Sequence, residues 1–169
     1  MAKYPYFEAL EALADMAARA VRQAVSELAS PKKEDPLALR ASAHKAMCEM
    51  EDALFSDFLP PIEREDLAAL AHALVRVIDI AGECALLTHS RASTRAERWE
   101  GDLCLRLCKQ LCADVILLKT IRNPKQMPAL RDFRALLAKA ERTSSRYSPL
   151  RAELSQAFDT LVEVMLHNI

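Results

Sequence analysis

Residues 102–114 read DLCLRLCKQLCAD, and the spacing of their apolar side chains decides the fold class. Three of the chain's five cysteines, Cys104, Cys108 and Cys112, recur there at every fourth position. With Cys104 at zero and about 100° per residue, Cys108 and Cys112 fall near about 40° and 80°, while Leu107, Leu111, Val115 and Leu118 fall between about −60° and 20°. Arg106, Lys109 and Gln110 take the opposite side. The pattern predicts an amphipathic α-helix whose thiols share the apolar arc.

The same period runs through the rest of the chain. Two glycines in 169 residues, with abundant Ala, Leu, Glu and Arg, leave little material for hairpin turns. The expected class is all-α. Phe7, Leu10, Ala14, Ala17, Val21, Val25 and Leu28 mark a first helix that should fail near Ser30 and Pro31. Asp35 followed by Pro36 reads as a cap and first turn for a second helix, with Leu39, Ala43, Ala46, Met50, Leu54 and Phe58 directed inward. Pro60 and Pro61 stop it. A third helix carries Leu67, Leu70, Ala71, Leu74, Val77, Ile78 and Ala81 and should end near His89. Thr94 with Glu97 has capping-box spacing and starts the fourth helix, which Asn123-Pro124 ends. A fifth is expected from Met127 to Tyr147, and Ser148-Pro149 opens a sixth. Six antiparallel helices grouped three and three, residues 1–90 and 91–169 of one domain, are the predicted architecture.

Composition narrows the function classes. Lys and Arg number 23 against 24 Asp and Glu, so no global positive charge attracts phosphate backbones, and nucleic acid is an unexpected partner. Apolar runs such as Val115 to Leu118 fall far short of the roughly 20 residues that span a bilayer. The first residues place acids inside an apolar pattern and do not read as a secretory signal, so a cytoplasmic location with reduced thiols is expected. There is no nucleophile elbow, and two glycines cannot build a phosphate-cradling loop. The expectation is a protein without catalytic activity. Gly82 and Gly101 fall inside helices, where each permits a close approach or is merely tolerated, and Trp99 reads as a core or interface anchor.

Two polar constellations remain. The thiols of Cys104, Cys108 and Cys112 read first as core packing, because free cysteine behaves as a small hydrophobe. The sharper alternatives are a soft-metal or storage site for Cu(I) or zinc, and a redox switch. On helix three Glu65, His72, Arg76, Asp79 and Glu83 stack on one face, which reads as a solvated surface of i, i+4 pairs such as Arg76 with His72 and Asp79 with Glu83. Its functional alternative is Asp79-x3-Glu83 sharing a divalent cation (Fe, Zn or Mg), with His44 of helix two joining as an imidazole ligand. Glu65, His72 and Arg76 would then form a partner-facing polar surface.

At FLPPIEREDLAALAHALVRVIDIAGE, residues 58–83, the sequence resembles the PhoU-like proteins, in the branch that accompanies inorganic phosphate permeases. The resemblance is carried by Phe58, Pro61, Arg64-Glu65-Asp66 and Asp79, and by the order of six helices. It implies two tandem three-helix bundles and a non-enzymatic role in regulating phosphate uptake. The implied partner is a membrane permease or sensor, met peripherally at the inner membrane, with homodimerisation left open, and metal clusters are implied at acidic motifs. This chain departs from the pattern: Arg40 and His44 stand where the first acidic motif would fall, Val75 where an earlier acid of helix three would, and Glu141-x3-Ser145 in the second half. Of the implied ligands, Asp79 and Glu83 remain. A helical scaffold for an unrelated protein partner is the third reading.

Overall fold

Asp35 accepts a hydrogen bond from the Leu37 amide at 3.0 Å, and Pro36 occupies the first helical position, where its missing N–H costs nothing. Local signals of this kind set most boundaries. The computed structural model describes residues 3–26, 34–88, 92–121, 127–138 and 144–168. The helices are α1 (Tyr6–Val25), α2 (Pro36–Ser56), α3 (Arg64–Thr88), α4 (Arg95–Ile116), α5 (Met127–Ala138) and α6 (Ser148–His167), with a 3-10 turn over Leu117–Thr120 after α4. Among the described residues there is no strand. Nor, among the described residues, is any helix long and apolar enough to cross a membrane. The capping box forms as its spacing predicts: the Glu97 amide donates to Thr94 Oγ1 at 3.2 Å and the Thr94 amide to Glu97 Oε2 at 2.8 Å. The expected end of the first helix at Ser30-Pro31, of the third at His89 and of the fourth at Asn123-Pro124 lie outside the described residues, as do Leu28 and Glu141.

α3 is the central rod. Leu67, Leu70, Ala71, Leu74, Val75, Val77, Ile78 and Ala81 are all buried, and the helix packs on α1, α2 and α6. α1 packs on α2, α3 and α4, burying Tyr6, Leu10, Leu13, Ala17, Val21 and Ala24. Each fully buried Leu contributes about 1.5–3 kcal/mol, so these shared stripes hold the helices together. α4 packs on α5 and α6 as well as α1. Phe133 of α5 stacks on Phe158 of α6, ring centroids 3.8 Å apart and planes 6° from parallel. This aromatic pair ties the short fifth helix to the last.

Four sequence expectations need correction. Phe58 is not directed inward but is 89% exposed, because α2 ends at Ser56 and the chain turns extended at Asp57 ahead of the two prolines, breaking the helical register. The fifth helix, described over Met127–Ala138, does not reach Tyr147, because residues 145–147 form a bend and turn instead. Its serines explain this: the Tyr147 amide donates to Ser145 Oγ at 3.1 Å and the Ser145 amide to Ser148 Oγ at 2.8 Å, so side chains replace helical partners. Tyr147, not Ser148, is the capping residue of α6, and it makes no side-chain cap bond. Trp99 is 44% exposed on α4 and anchors no core.

The two glycines behave differently. A Cβ on Gly101 would stand 2.9 Å from Val25 Cγ1 and 3.4 Å from Tyr147 Cε2, so a bare backbone is needed for α1 and the 144–147 turn to close on α4. A Cβ on Gly82 would meet nothing within 4 Å. Gly82→Ala should therefore raise stability by about 0.5–1 kcal/mol, the helical cost of glycine. Gly101→Val should lower it by about 1–3 kcal/mol through overpacking against a stiff β-branched side chain. Urea melts of both variants check this, and a Gly101→Val protein as stable as the parent contradicts the close approach.

Candidate functional site

The polar residues of α3 face neighbouring helices rather than one another. Asp79 accepts at Oδ1 from Arg40 Nε at 2.8 Å and contacts His44 Nε2 at 2.9 Å, with its second oxygen 3.1 Å from the same ring nitrogen. Both partners stand on α2, one turn apart. His72 Nε2 meets Glu51 Oε1 of α2 at 2.5 Å. Arg76 reaches α6, donating through Nε at 3.2 Å and Nη2 at 3.0 Å to the two oxygens of Glu153 in a bidentate pair. The expected i, i+4 pairs of Arg76 with His72 and Asp79 with Glu83 are thus replaced by cross-helix pairs. The reason is geometric. α3 is flanked by packed helices on several sides, so its polar edges meet the polar edges of α2 and α6.

Asp66, in the first turn of α3, extends the same seam. Its Oδ1 lies 3.0 Å from His167 Nδ1, and its Oδ2 accepts from Asn168 Nδ2 at 2.8 Å. The hydrogen bond to Asp66 and then its charge raise the His167 pKa above the ordinary imidazole value. Arg64 builds the α2–α3 corner. Its guanidinium donates to the carbonyls of Leu54 and Asp57, and to that of Phe58 at 3.3 Å. These are carbonyls at and just beyond the C-terminus of α2, where a cation is favoured. Glu65 is exposed and Glu83 is exposed, one turn beyond Asp79.

The donor set does not fit a divalent cation as arranged. The Asp79 oxygen that would ligate one already accepts from a guanidinium, and Arg40 places a positive charge where the cation would sit. Among the described residues, no group of three or more His, Cys, Asp or Glu side chains is gathered to hold a metal. His44 and Asp79 are brought together, but as an ion pair with Arg40.

The thiols lie deeper. Cys84, Cys104 and Cys108 are buried, Cys112 is half-buried and Cys48 is exposed. Cys112 Sγ donates to the Ala14 carbonyl of α1 at 3.1 Å, and Cys84 and Cys104 lie 3.7 and 4.0 Å from the carbonyls of Arg146 and Tyr147. Burial pushes the Cys84 thiol up to about 11 and the Cys104 thiol up to about 12. Hydrogen bonding to Cys112 and then burial push Cys108 up as well. The hydrogen bond from Cys108 pulls Cys112 down instead, so it is the raised Cys84, Cys104 and Cys108 that stay protonated and are poor nucleophiles and poor metal ligands.

A second polar cluster was missed by the sequence reading. Glu100 on α4 is 0% exposed, and its Oε1 accepts from Arg151 at 2.6 Å and from Ser148 Oγ at 3.2 Å, while Oε2 accepts from Ser145 Oγ. Nearby, Arg146 Nη2 donates to Glu97 Oε2 at 3.2 Å and to Ser93 Oγ at 2.6 Å. The signal was present on the same wheel. At about 100° per residue Glu97 falls near about 20° and Glu100 near −40°, inside the buried arc with Cys104. Acids on an apolar arc ask for buried partners. Asp114 is also buried, with Oδ1 accepting from Gln110 at 3.0 Å; among the described residues Oδ2 finds no hydrogen-bond partner. Burial raises its pKa, as does the charge of Asp132 on α5.

Compared with protein-family models and with curated proteins, the chain finds no match.

Two measurements follow from this geometry. Glu100→Ala removes the buried acceptor shared by the half-buried Arg151, Ser145 and Ser148 and should cost about 1–3 kcal/mol in a denaturant melt, as losing one partner of a buried hydrogen bond does. Loss below about 1 kcal/mol, the range of an exposed pair, contradicts the burial. For His167 the folded-state pKa is raised, so its contribution is complete below the unfolded value and disappears as pH rises through the folded one. His167→Gln should therefore flatten the stability profile from the ordinary imidazole range upward and leave its lower end unaltered in slope. A profile identical to the parent's contradicts the Asp66 contact.

Proposed function

We propose that this chain is a PhoU-like accessory protein that regulates inorganic phosphate transport by contact with a membrane permease or sensor, without catalysis. It works from the cytoplasmic side of the inner membrane, and the two groups of three helices are its two tandem units. Packing of α1 with α2 and α3, and of α4 with α5 and α6, is in keeping with that grouping, as are the α1–α4 and α3–α6 contacts between them.

One observation carries the reading. The segment that resembles the family builds the corner between α2 and α3. Arg64 fastens the end of α2 through backbone carbonyls, Asp66 fastens the start of α3 to the end of α6, and Phe58 and Leu59 between the two helices are turned to solvent. Such a corner presents a surface for a partner. The polar residues of α3 hold α2 and α6 in place behind it. The missing acidic motifs fit a member that works by protein contact without a metal cluster: Arg40 supplies to Asp79 the positive charge that a cation would supply.

The test pairs biochemistry with physiology. Capture of the tagged full chain from membranes should recover a phosphate permease or its sensor, and deletion should alter phosphate uptake. Recovery of neither, in cells whose phosphate response is normal after deletion, overturns the proposal.

A further inference from the structure

The end of the molecule formed by the α2–α3 corner exposes three large apolar side chains within five residues. Phe55 and Phe58 are each 89% exposed and Leu59 is 70% exposed. Beside Phe55 a groove of about 260 Å³ runs between α2 and α3, lined by Glu51, Leu54, Phe55, Arg64, Glu65 and Ala68. Scattered single apolar residues on a surface need no explanation, but two phenylalanines and a leucine on one corner, next to an apolar groove, are the composition of a contact surface.

Charge identifies the occupant. Residues 49–66 contain seven carboxylates, Glu49, Glu51, Asp52, Asp57, Glu63, Glu65 and Asp66, against a single cation, Arg64, while the whole chain is nearly neutral at −1. Arg64 is turned toward the backbone carbonyls of the corner, so it does not balance the rim. Asp66 is held by His167 and Asn168, Glu51 by His72, and Asp57 accepts from the Tyr6 hydroxyl at 2.6 Å. Asp52, Glu63 and Glu65 are exposed around the phenylalanines. An anionic bilayer surface is repelled by such a rim. A second copy of the corner brings the same acids face to face, which is unfavourable.

We propose that this corner docks a basic amphipathic segment of a partner protein: an apolar side chain enters the groove between Leu54 and Ala68, Phe55 and Phe58 pack along the segment's apolar face, and its Lys or Arg side chains meet Glu63 and Glu65. The proposal rests on the reading that the chain works by protein contact. It names the partner's chemistry, which is that of the Lys- and Arg-rich cytoplasmic loops of membrane proteins.

The test uses the full chain and a fluorescein-labelled synthetic peptide that forms a helix with Leu on one face and Lys on the other, read by anisotropy. A matching Leu and Glu peptide and phosphatidylserine vesicles serve as competitors in class. The Lys peptide should bind, and the paired substitution Phe55→Ser with Phe58→Ser should weaken it by about tenfold or more, the effect of losing central aromatic anchors. Glu63→Gln with Glu65→Gln should weaken it less and reduce its salt dependence. All four positions are exposed, so circular dichroism and melting of the variants should match the parent. Lys-peptide binding unchanged by the phenylalanine pair overturns the proposal. So does preference for the Glu peptide or for vesicles, and so does a dimer of the parent that the phenylalanine substitutions dissociate. Recovery of a permease by a chain that fails the peptide test removes this surface and leaves the phosphate reading standing. Peptide binding in a protein whose deletion leaves phosphate responses normal does the reverse.

Discussion

α3 is the constraint on which the rest depends. Its apolar residues are buried against α1, α2 and α6, more than one stripe's worth, while an exposed edge runs through Glu65, His72, Arg76 and Glu83. Polar side chains bordering the buried stripes of such a helix reach for a neighbour. Asp66, His72, Arg76 and Asp79 do so, each reaching a different point on α2 or α6. Exposed ion pairs of this type contribute little energy singly, about 0–1 kcal/mol each. Their effect is to fix which way and how far the outer helices are turned about the central one.

The helices themselves were legible because their signals are local. Asp35-Pro36, Thr94 with Glu97, and the paired prolines act within a few residues, and the apolar period needs no knowledge of tertiary neighbours. The fifth helix was misjudged at its end because Ser145 and Ser148 take amide partners that the periodicity assigns to the helix ladder. Phe58 was misjudged because an apolar residue just past a helix end keeps its composition and loses its phase.

The candidate site was legible in membership and illegible in pairing. Sequence placed His72, Arg76 and Asp79 on one face and brought His44 of α2 to Asp79, where the structure has it, yet for His72 and Arg76 it chose partners along the helix. Which neighbour answers a polar group depends on how helices cross, and crossing is set by side chains far apart in sequence. Glu100 shows the opposite omission. It lies on the same apolar arc as the cysteines, but its partners Arg151, Ser145 and Ser148 are 51, 45 and 48 residues away in the chain.

Arg64 holds the α2–α3 corner by bonding backbone carbonyls, not side chains. The identity of residues 55, 58 and 59 is therefore uncoupled from the foldability of the hairpin. Drift at these positions alters the external face while leaving the scaffold's geometry intact, so lineages descended from a common ancestor are free to exchange one associate for another through a handful of surface replacements.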